Sequence, residues 1–397
     1  MIETRYAENT YTGKAGLQLS GFSYPETQDV RRLHRMIPGY SQTALVSLSG
    51  LAEKIGVRAI FVKDESARFG LKAFKGLGGI YAMYRIICRE LGLDPETVTF
   101  STLLEEPWQE KIRDMTFATT TDGNHGKGVS WAAGVFGCKA YVYMPKGTVP
   151  VRARAVRDAG NAEVTITDML YDDCVIDTKN RAERNGWFLI QDTAWPGYEQ
   201  IPTWIMQGYT TLYYEALDQM KTYGYERPTH IFLQAGVGSM AGAIAAAACT
   251  VPGDNPKIMT VEPDEVACFY ESYLANDGKP HKASGNSKTI MAGLNCAVPC
   301  SIAWDLLKET AVGGFACPDE VTEKGMRRLA HPVGRDTSIV SGESGAVSAG
   351  LLETLMSDND YIGLREQLKL GPDSVVFLIS TEGDTDPDNY RKVLGAI

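Results

Sequence analysis

The sequence contains no C-x-x-C pair, although it has eight cysteines (Cys88, Cys138, Cys174, Cys249, Cys268, Cys296, Cys300 and Cys317). Structural zinc sites draw their ligands from close pairs of that kind, so the spacing speaks against one. The five histidines form no H-x-x-x-H or H-E-x-x-H group, which leaves metal catalysis without support. No run of about 18 apolar residues is present, so no membrane-spanning helix is expected. The opening stretch MIETRYAENTYTGKAG lacks a basic region followed by an apolar one. No export signal is read there, and reduced thiols in a cytoplasmic protein are the expectation. Positive charge is also scarce. Against 49 Asp and Glu stand 39 Lys and Arg, and the net charge of -10 disfavours nucleic acid and anionic lipid as partners.

What the chain has in quantity is glycine, 40 among 397 residues, within an otherwise ordinary soluble composition of 44% hydrophobic and 22% charged residues. At about 150 residues per domain, the length predicts two or three domains. Apolar runs alternate with helical patterns. Strands are predicted at 59–64, 116–121, 140–144, 163–167, 187–192, 230–235, 257–263 and 374–380, and helices at 72–91, 125–137, 152–159, 172–185, 203–221 and 239–250. Most strand candidates are continuous Val/Ile/Phe/Leu runs, as expected where both faces are buried. The alternation predicts an α/β protein with mostly parallel sheets, whose ligands sit at the carboxyl ends of strands. The charged segment 92–115, with Pro95 and Pro107, reads as an exposed excursion.

Three glycine-rich segments stand at such ends. In HIFLQAGVGSMAGAIAAAA a strand runs into Gly236-Val237-Gly238-Ser239-Met240 and then a helix, where converging amides and the helix dipole favour a phosphate. The spacing departs from the dinucleotide fingerprint, yet Glu262 ends the next strand, 20 residues past Gly242, where a ribose-binding acid would be sought. A tight turn without a ligand is the competing reading. In AFKGLGGIYAMYRII, Gly78 and Gly79 share the helix face of Lys75. Each weakens a helix by about 1 kcal/mol relative to alanine. A cleared face would leave room for a flat ligand against the lysine, whereas an ordinary surface lysine would need no such clearance. In TFATTTDGNHGKG, Thr119–Thr121, Asp122, Gly123, Asn124 and His125 gather at a helix start, an arrangement suited to a carboxylate. Asp122 would repel that guest unless it also carries a cation or the aspartate moves a proton; a plain N-cap is the alternative. Asp192 follows a strand in a loop with Trp195, Tyr198 and Trp204, and Glu343, Ser380 and Thr381 stand near element ends.

Taken in order, AFKGLGG, TDGNHG, AGVGSMAG, SGESGAV and STEGD resemble the pyridoxal-phosphate enzymes of the tryptophan-synthase β-like fold (fold type II). VKDESARFGLKAFKGLGG, TTTDGNHGKG, YMPKG, QDTAWPGY, IPTWIMQGY and ISTEGDTD are similar, more closely, to the diaminopropionate ammonia-lyase family. The similarity runs from about residue 35 to about residue 393. It implies two three-layer α/β/α domains, a large cofactor domain at 1–88 and 223–397 and a smaller inserted one at 89–222, with pyridoxal 5'-phosphate between them. Lys75 corresponds to the lysine that carries the cofactor covalently, with Phe74 beside it. Gly236, Val237, Gly238, Ser239 and Met240 correspond to the phosphate cradle and Asn124 to the partner of the 3-hydroxyl. Glu343 joins the cofactor set, and Ser380, in preference to Thr381, is expected at the pyridine nitrogen. Thr120, Thr121, Asp122, Gly123, Asn124, His125 and Asp192 correspond to the substrate loop and its surroundings.

The activity implied is elimination of 2,3-diaminopropionate to pyruvate and two ammonia in a homodimer, with no metal. Lys75 would take the α-proton of the L-isomer and Asp122 that of the D-isomer, while Asp122 and Asp192 pair with the second amine. A serine or threonine dehydratase of the same fold, a nicotinamide-dependent oxidoreductase using Glu262, and a binding module without catalysis are the alternatives.

Overall fold

The structure is a computed structural model and describes residues 3–14 and 16–395. The chain divides into two compact units, the first comprising residues up to 24, 42–73 and those from 212 on, the second 25–41 and 74–211. The resemblance implies a smaller domain at 89–222, whereas the second unit takes in 25–41 and begins again at 74. Helix Gly76–Leu91 belongs to the second unit because it packs along helix Asn124–Phe136.

The strands in chain order are β1 (Arg5–Glu8), β2 (Leu45–Ser47), β3 (Ala59–Asp64), β4 (Thr116–Thr120), β5 (Lys139–Met144), β6 (Ala162–Ile166), β7 (Phe188–Leu189), β8 (His230–Gln234), β9 (Lys257–Pro263), β10 (Gly313–Cys317) and β11 (Val375–Ser380). The first unit carries a seven-stranded sheet ordered β1-β10-β9-β8-β11-β3-β2. Its five central strands are parallel, and only the edge pairs β1–β10 and β2–β3 are antiparallel. Every residue of β8, β10 and β11 is buried. That is why β8 and β11 read as uninterrupted apolar runs, since parallel strands covered on both faces have no solvent side to alternate toward. The core joins Val62, Phe232, Val261, Phe315 and Val376 of the sheet to Leu51 of helix Ser49–Ile55 and Val347 and Leu351 of helix Glu343–Ser357. The second unit holds a parallel sheet ordered β6-β5-β4-β7.

Segment 92–115 is more than an exposed excursion. It folds into helices Phe100–Leu103 and Trp108–Asp114, which bury Phe100, Leu103 and Ile112. Strand 187–192 of the sequence analysis shrinks to the two residues of β7. Ile190 N–H still donates to Ala118 O, but the next amide, of Gln191, donates to the Tyr198 hydroxyl at 2.8 Å and leaves the ladder. Among the described residues no helix is long and apolar enough to cross a membrane.

Candidate active site

In the second unit, Lys75 is the residue from which helix Gly76–Leu91 starts. Its Nζ donates to Asp192 Oδ2 at 2.6 Å. The amine also lies 5.5 Å from the centre of the Phe74 ring and 5.9 Å from that of Tyr209, two rings that meet edge to face at 4.8 Å. A half-buried ammonium of this kind favours a counter-charge beside it, and the aromatic faces add a weaker attraction.

The glycines after Lys75, read from the sequence either as a face cleared for a flat ligand or as part of an ordinary surface helix, let helices touch. A Cβ at Gly78 would stand 2.7 Å from the Ile205 carbonyl oxygen and 2.6 Å from the Tyr209 ring. One at Gly208 would stand 2.6 Å from Leu77 O, and one at Gly128 3.0 Å from Lys75 O. Helices 76–91, 124–136 and 200–222 therefore approach through glycine on both sides of each contact. The close approach compensates for the helix propensity lost at Gly78 and Gly79.

The loop between β4 and helix Asn124–Phe136 is held by Thr121, whose Oγ1 accepts from the amides of Gly123 (2.9 Å) and Gly126 (3.0 Å). Gly123 has φ +155°, and the Cδ of Arg152, on helix Pro150–Ala159, lies 3.9 Å from the place a Cβ would take. Asp122 between them is half-buried. Burial raises its carboxyl to about 6; Arg152 opposes the rise, Asp192 adds to it, and Lys75 opposes it. Asn124 opens the helix, half-buried. His125 is buried, and its Nε2 donates to Ile190 O at 2.8 Å while Nδ1 stands 3.7 Å from Asp192 Oδ2. Burial would raise the Asp192 carboxyl, but His125 and Lys75 more than offset that and hold it down to about 2. The carboxylate that faces Lys75 is thus ionised, whereas Asp122 titrates close to neutrality.

Thr120 points elsewhere. Its hydroxyl meets Thr178 Oγ1 at 2.7 Å and donates to Cys174 O at 3.1 Å, both on helix Tyr171–Asn185, so the side chain fastens that helix to β4. Gln191 went unnoticed in the sequence analysis although it precedes Asp192. Its Oε1 accepts from Thr120 N–H at 3.1 Å and from Thr119 Oγ1 at 3.3 Å, which ties the Asp192 loop to the end of β4. Tyr198 fixes the Asp192 loop from its far side, accepting from Gln191 N–H and donating to Leu189 O at 2.9 Å.

In the first unit, the turn after β8 leads into helix Ser239–Thr250. Gly238 has φ +88° and a Cβ there would fall 2.3 Å from the Phe269 ring, so no other residue fits. It is also the N-cap, has no side chain to satisfy the first-turn amides, and no acidic residue lies in that turn. Those donors and the dipole suit an anion. Ser239 and Met240 are buried behind the turn, and the Val237 carbonyl accepts from Cys300 N–H at 2.9 Å. On the neighbouring strand β11, Ser380 Oγ donates to Ser341 Oγ at 2.8 Å, and Thr381 is buried. Gln234 joins these segments, donating to Ile379 O at 2.6 Å and Gly345 O at 2.8 Å. Glu343 is buried and accepts from Asn389 Nδ2 at 2.6 Å. Ala73 bridges to Glu382, and Gly383 N–H donates to Lys72 O, so the chain leaves this unit two residues before Lys75.

Glu262 gives no support to a ribose-binding acid. Its two carboxyl oxygens accept from the amides of Phe269 (2.8 Å) and Tyr270 (2.7 Å), capping helix Cys268–Ala275, and burial pushes the carboxyl up to about 8.

A family model described as pyridoxal-phosphate dependent enzyme matches residues 36–381. The chain is 45% identical over 394 residues to the diaminopropionate ammonia-lyase of Salmonella typhimurium strain LT2, spanning 98% of this chain and 97% of that one. A solved structure of the holo diaminopropionate ammonia lyase from Escherichia coli matches with a TM-score of 0.91 and 44% identity, over 99% of this chain and 97% of that one. A structure of the same enzyme in complex with D-serine matches equally, with a TM-score of 0.91, 44% identity and the same coverage. The glycine turn at a helix start without an acidic residue and the half-buried lysine fit the cofactor of that group, and the chain belongs to the pyridoxal-phosphate dependent enzymes, among the diaminopropionate ammonia-lyases.

Proposed function

We propose that this chain is a lyase that eliminates ammonia from 2,3-diaminopropionate, releasing pyruvate and two ammonia, and that it accepts both isomers. The observation that carries the substrate is a pair of carboxylates around one lysine amine. Asp192 stands 2.6 Å from Lys75 Nζ, and Asp122 is close enough for both charges to act on it. An amino acid with a second ammonium supplies the cation that such a surplus of negative charge calls for. Serine and threonine, with a neutral hydroxyl at the same place, would leave a carboxylate unpaired.

Lys75 would carry the cofactor, Gly236–Met240 its phosphate, Asn124 its 3-hydroxyl, and Ser380 rather than Thr381 its pyridine nitrogen, with Phe74 and Glu343 nearby. Pyridoxal phosphate, when bound, supplies an electron sink for the charge left at the substrate's α-carbon. The chain's own residues orient the substrate and move its proton. Thr121 shapes the loop whose amides would receive the α-carboxylate. Lys75 is suited to take the α-proton from one face of the substrate. A carboxyl titrating at about 6 is suited to take it from the other, because a base works best when its pKa lies near the working pH. The Escherichia coli relative held D-serine in its crystal, which supports entry of D-configured substrates. A cytoplasmic homodimer belongs to the same reading and rests on the family resemblance.

The test is pyruvate release by purified enzyme from both diaminopropionate isomers, D- and L-serine and L-threonine. The reading expects kcat/KM to be highest for diaminopropionate. Faster turnover of serine or threonine would replace it with a dehydratase of the same fold.

A further inference from the structure

Two side-chain nitrogens stand near Asp192 Oδ2. Lys75 Nζ donates to it at 2.6 Å, and His125 Nδ1 stands 3.7 Å from the same oxygen. The imidazole is buried, and its other nitrogen is committed, since Nε2 meets the Ile190 carbonyl at 2.8 Å. A carbonyl only accepts, so Nε2 must carry a proton and Nδ1 is where the ring's protonation state is decided. Among the described residues, Nδ1 has no hydrogen-bond partner of its own. A buried ring nitrogen aimed at a carboxylate, without a partner, has no structural duty that asparagine or glutamine could not perform at Nε2. Its position makes sense if it holds a proton at some stage.

We propose that His125 is a positioning residue for Lys75, accepting through Asp192 the proton that the lysine must lose before its amine can react. The Nζ–H bond of Lys75 breaks as an O–H bond forms at Asp192 Oδ2, and that bond breaks as an N–H bond forms at His125 Nδ1. Lys75 becomes a neutral amine, His125 an imidazolium, and Asp192 a carboxylate before and after. One ion pair replaces another, so the trio's net charge is unchanged, while the positive charge moves from a half-buried amine to a buried ring. Burial pushes His125 below its usual value and Lys75 pushes it in the same direction, while Asp192 pulls it up. The proton therefore stays on the lysine until the lysine gives up its charge. The charge on Asp192 also reaches Asp122, Tyr198 and Tyr209, and burial raises all three. None of them competes for the proton from a position beside the lysine-bound oxygen.

The inference rests on Lys75 being the reactive amine, and its test requires no substrate, so the diaminopropionate reading can fail separately. The ¹⁵N NMR signals of His125 would be recorded in the full-length cofactor-free protein and in its Lys75→Ala variant, and assigned with His125→Gln. At pH 7 the wild type is expected to show one protonated ring nitrogen, and Lys75→Ala two, because Asp192 then has no lysine to neutralise it. Competitive acetylation with peptide mass analysis gives a second readout. In His125→Gln, which keeps a donor to Ile190 O, Lys75 should be acetylated roughly tenfold more slowly at pH 7, as for an amine one pH unit more basic. A neutral His125 in both proteins, or unchanged acetylation of Lys75, would overturn the proposal.

Discussion

Asp122→Asn should make the protein more stable while impairing it. In the folded chain the carboxyl is raised from its ordinary value of 3.8 to about 6, mainly by burial. An acid whose folded pKa is raised contributes its stability below the unfolded value and loses it as the pH climbs through the folded one. The full cost of ionising Asp122 is then about 3 kcal/mol above pH 7, at about 1.4 kcal/mol per pH unit. Roughly half of that cost has already been incurred at pH 5, so the gap between variant and wild type should widen by about 1.3 kcal/mol from pH 5 to pH 7 and then stay level. Because the side chain is half-buried rather than sealed, solvent will reduce this to about 1 kcal/mol or less, or ~1–3 °C in Tm for a chain of this size. Thermal unfolding of both proteins at pH 5, 6, 7 and 8 measures it. Activity on each isomer is measured in parallel, and the D-isomer should lose on the order of a hundredfold or more relative to the L-isomer. A Tm difference that does not change with pH would refute the electrostatic account of Asp122. Equal losses on both isomers would show that Asp122 binds substrate without moving the proton.

Gly238→Ala places a Cβ at φ +88° and 2.3 Å from the Phe269 ring, so the turn must shift; cofactor affinity, read from absorbance during titration with pyridoxal phosphate, should fall at least tenfold. Gly78→Ala meets backbone at Ile205 O and should cost about 1–3 kcal/mol despite the better helix propensity of alanine, seen as a lower Tm. Thr120→Val removes the hydroxyl that meets Thr178 and should lower stability by about 1 kcal/mol while leaving KM within about twofold, whereas Thr121→Val frees two loop amides and should raise KM.

The parts of the fold most legible in the sequence were those driven by burial on both faces. β3, β8, β9 and β11 appear as apolar runs, and each was placed to within a residue. β10 escaped because GGFAC has no such run. It pairs tightly beside β1, where a Cβ at Gly313 would strike Ala7 O at 2.5 Å, so glycine there marks a close approach instead of a break. β1 and β2 are short edge strands that one partner stabilises, and nothing local announces them. The site residues were named from motifs, but their pairing was not. Lys75 and Asp192 are 117 positions apart and meet only because the lysine helix packs where it does. That Asp122 and Asp192 would lie near each other follows from β4 and β7 being neighbours in the sheet, which sequence alternation alone does not supply. The glycines near Lys75 stand out as an anomaly in the sequence, whereas the helix contacts they permit do not. Local sequence shows that a side chain is missing, and only packing shows what occupies its place.

The strand order of the first unit also constrains how that unit can be made. β11, synthesised after every other strand, lies between β8 and β3. Until residues 375–380 have left the ribosome, the β2–β3 pair cannot join the β8-β9-β10-β1 block, and each presents an open edge. The second unit has no such dependence, since its four strands all lie between residues 116 and 189. A nascent chain would therefore carry a finished lysine-bearing unit while the glycine turn that follows β8 still waits for the strand that completes its sheet.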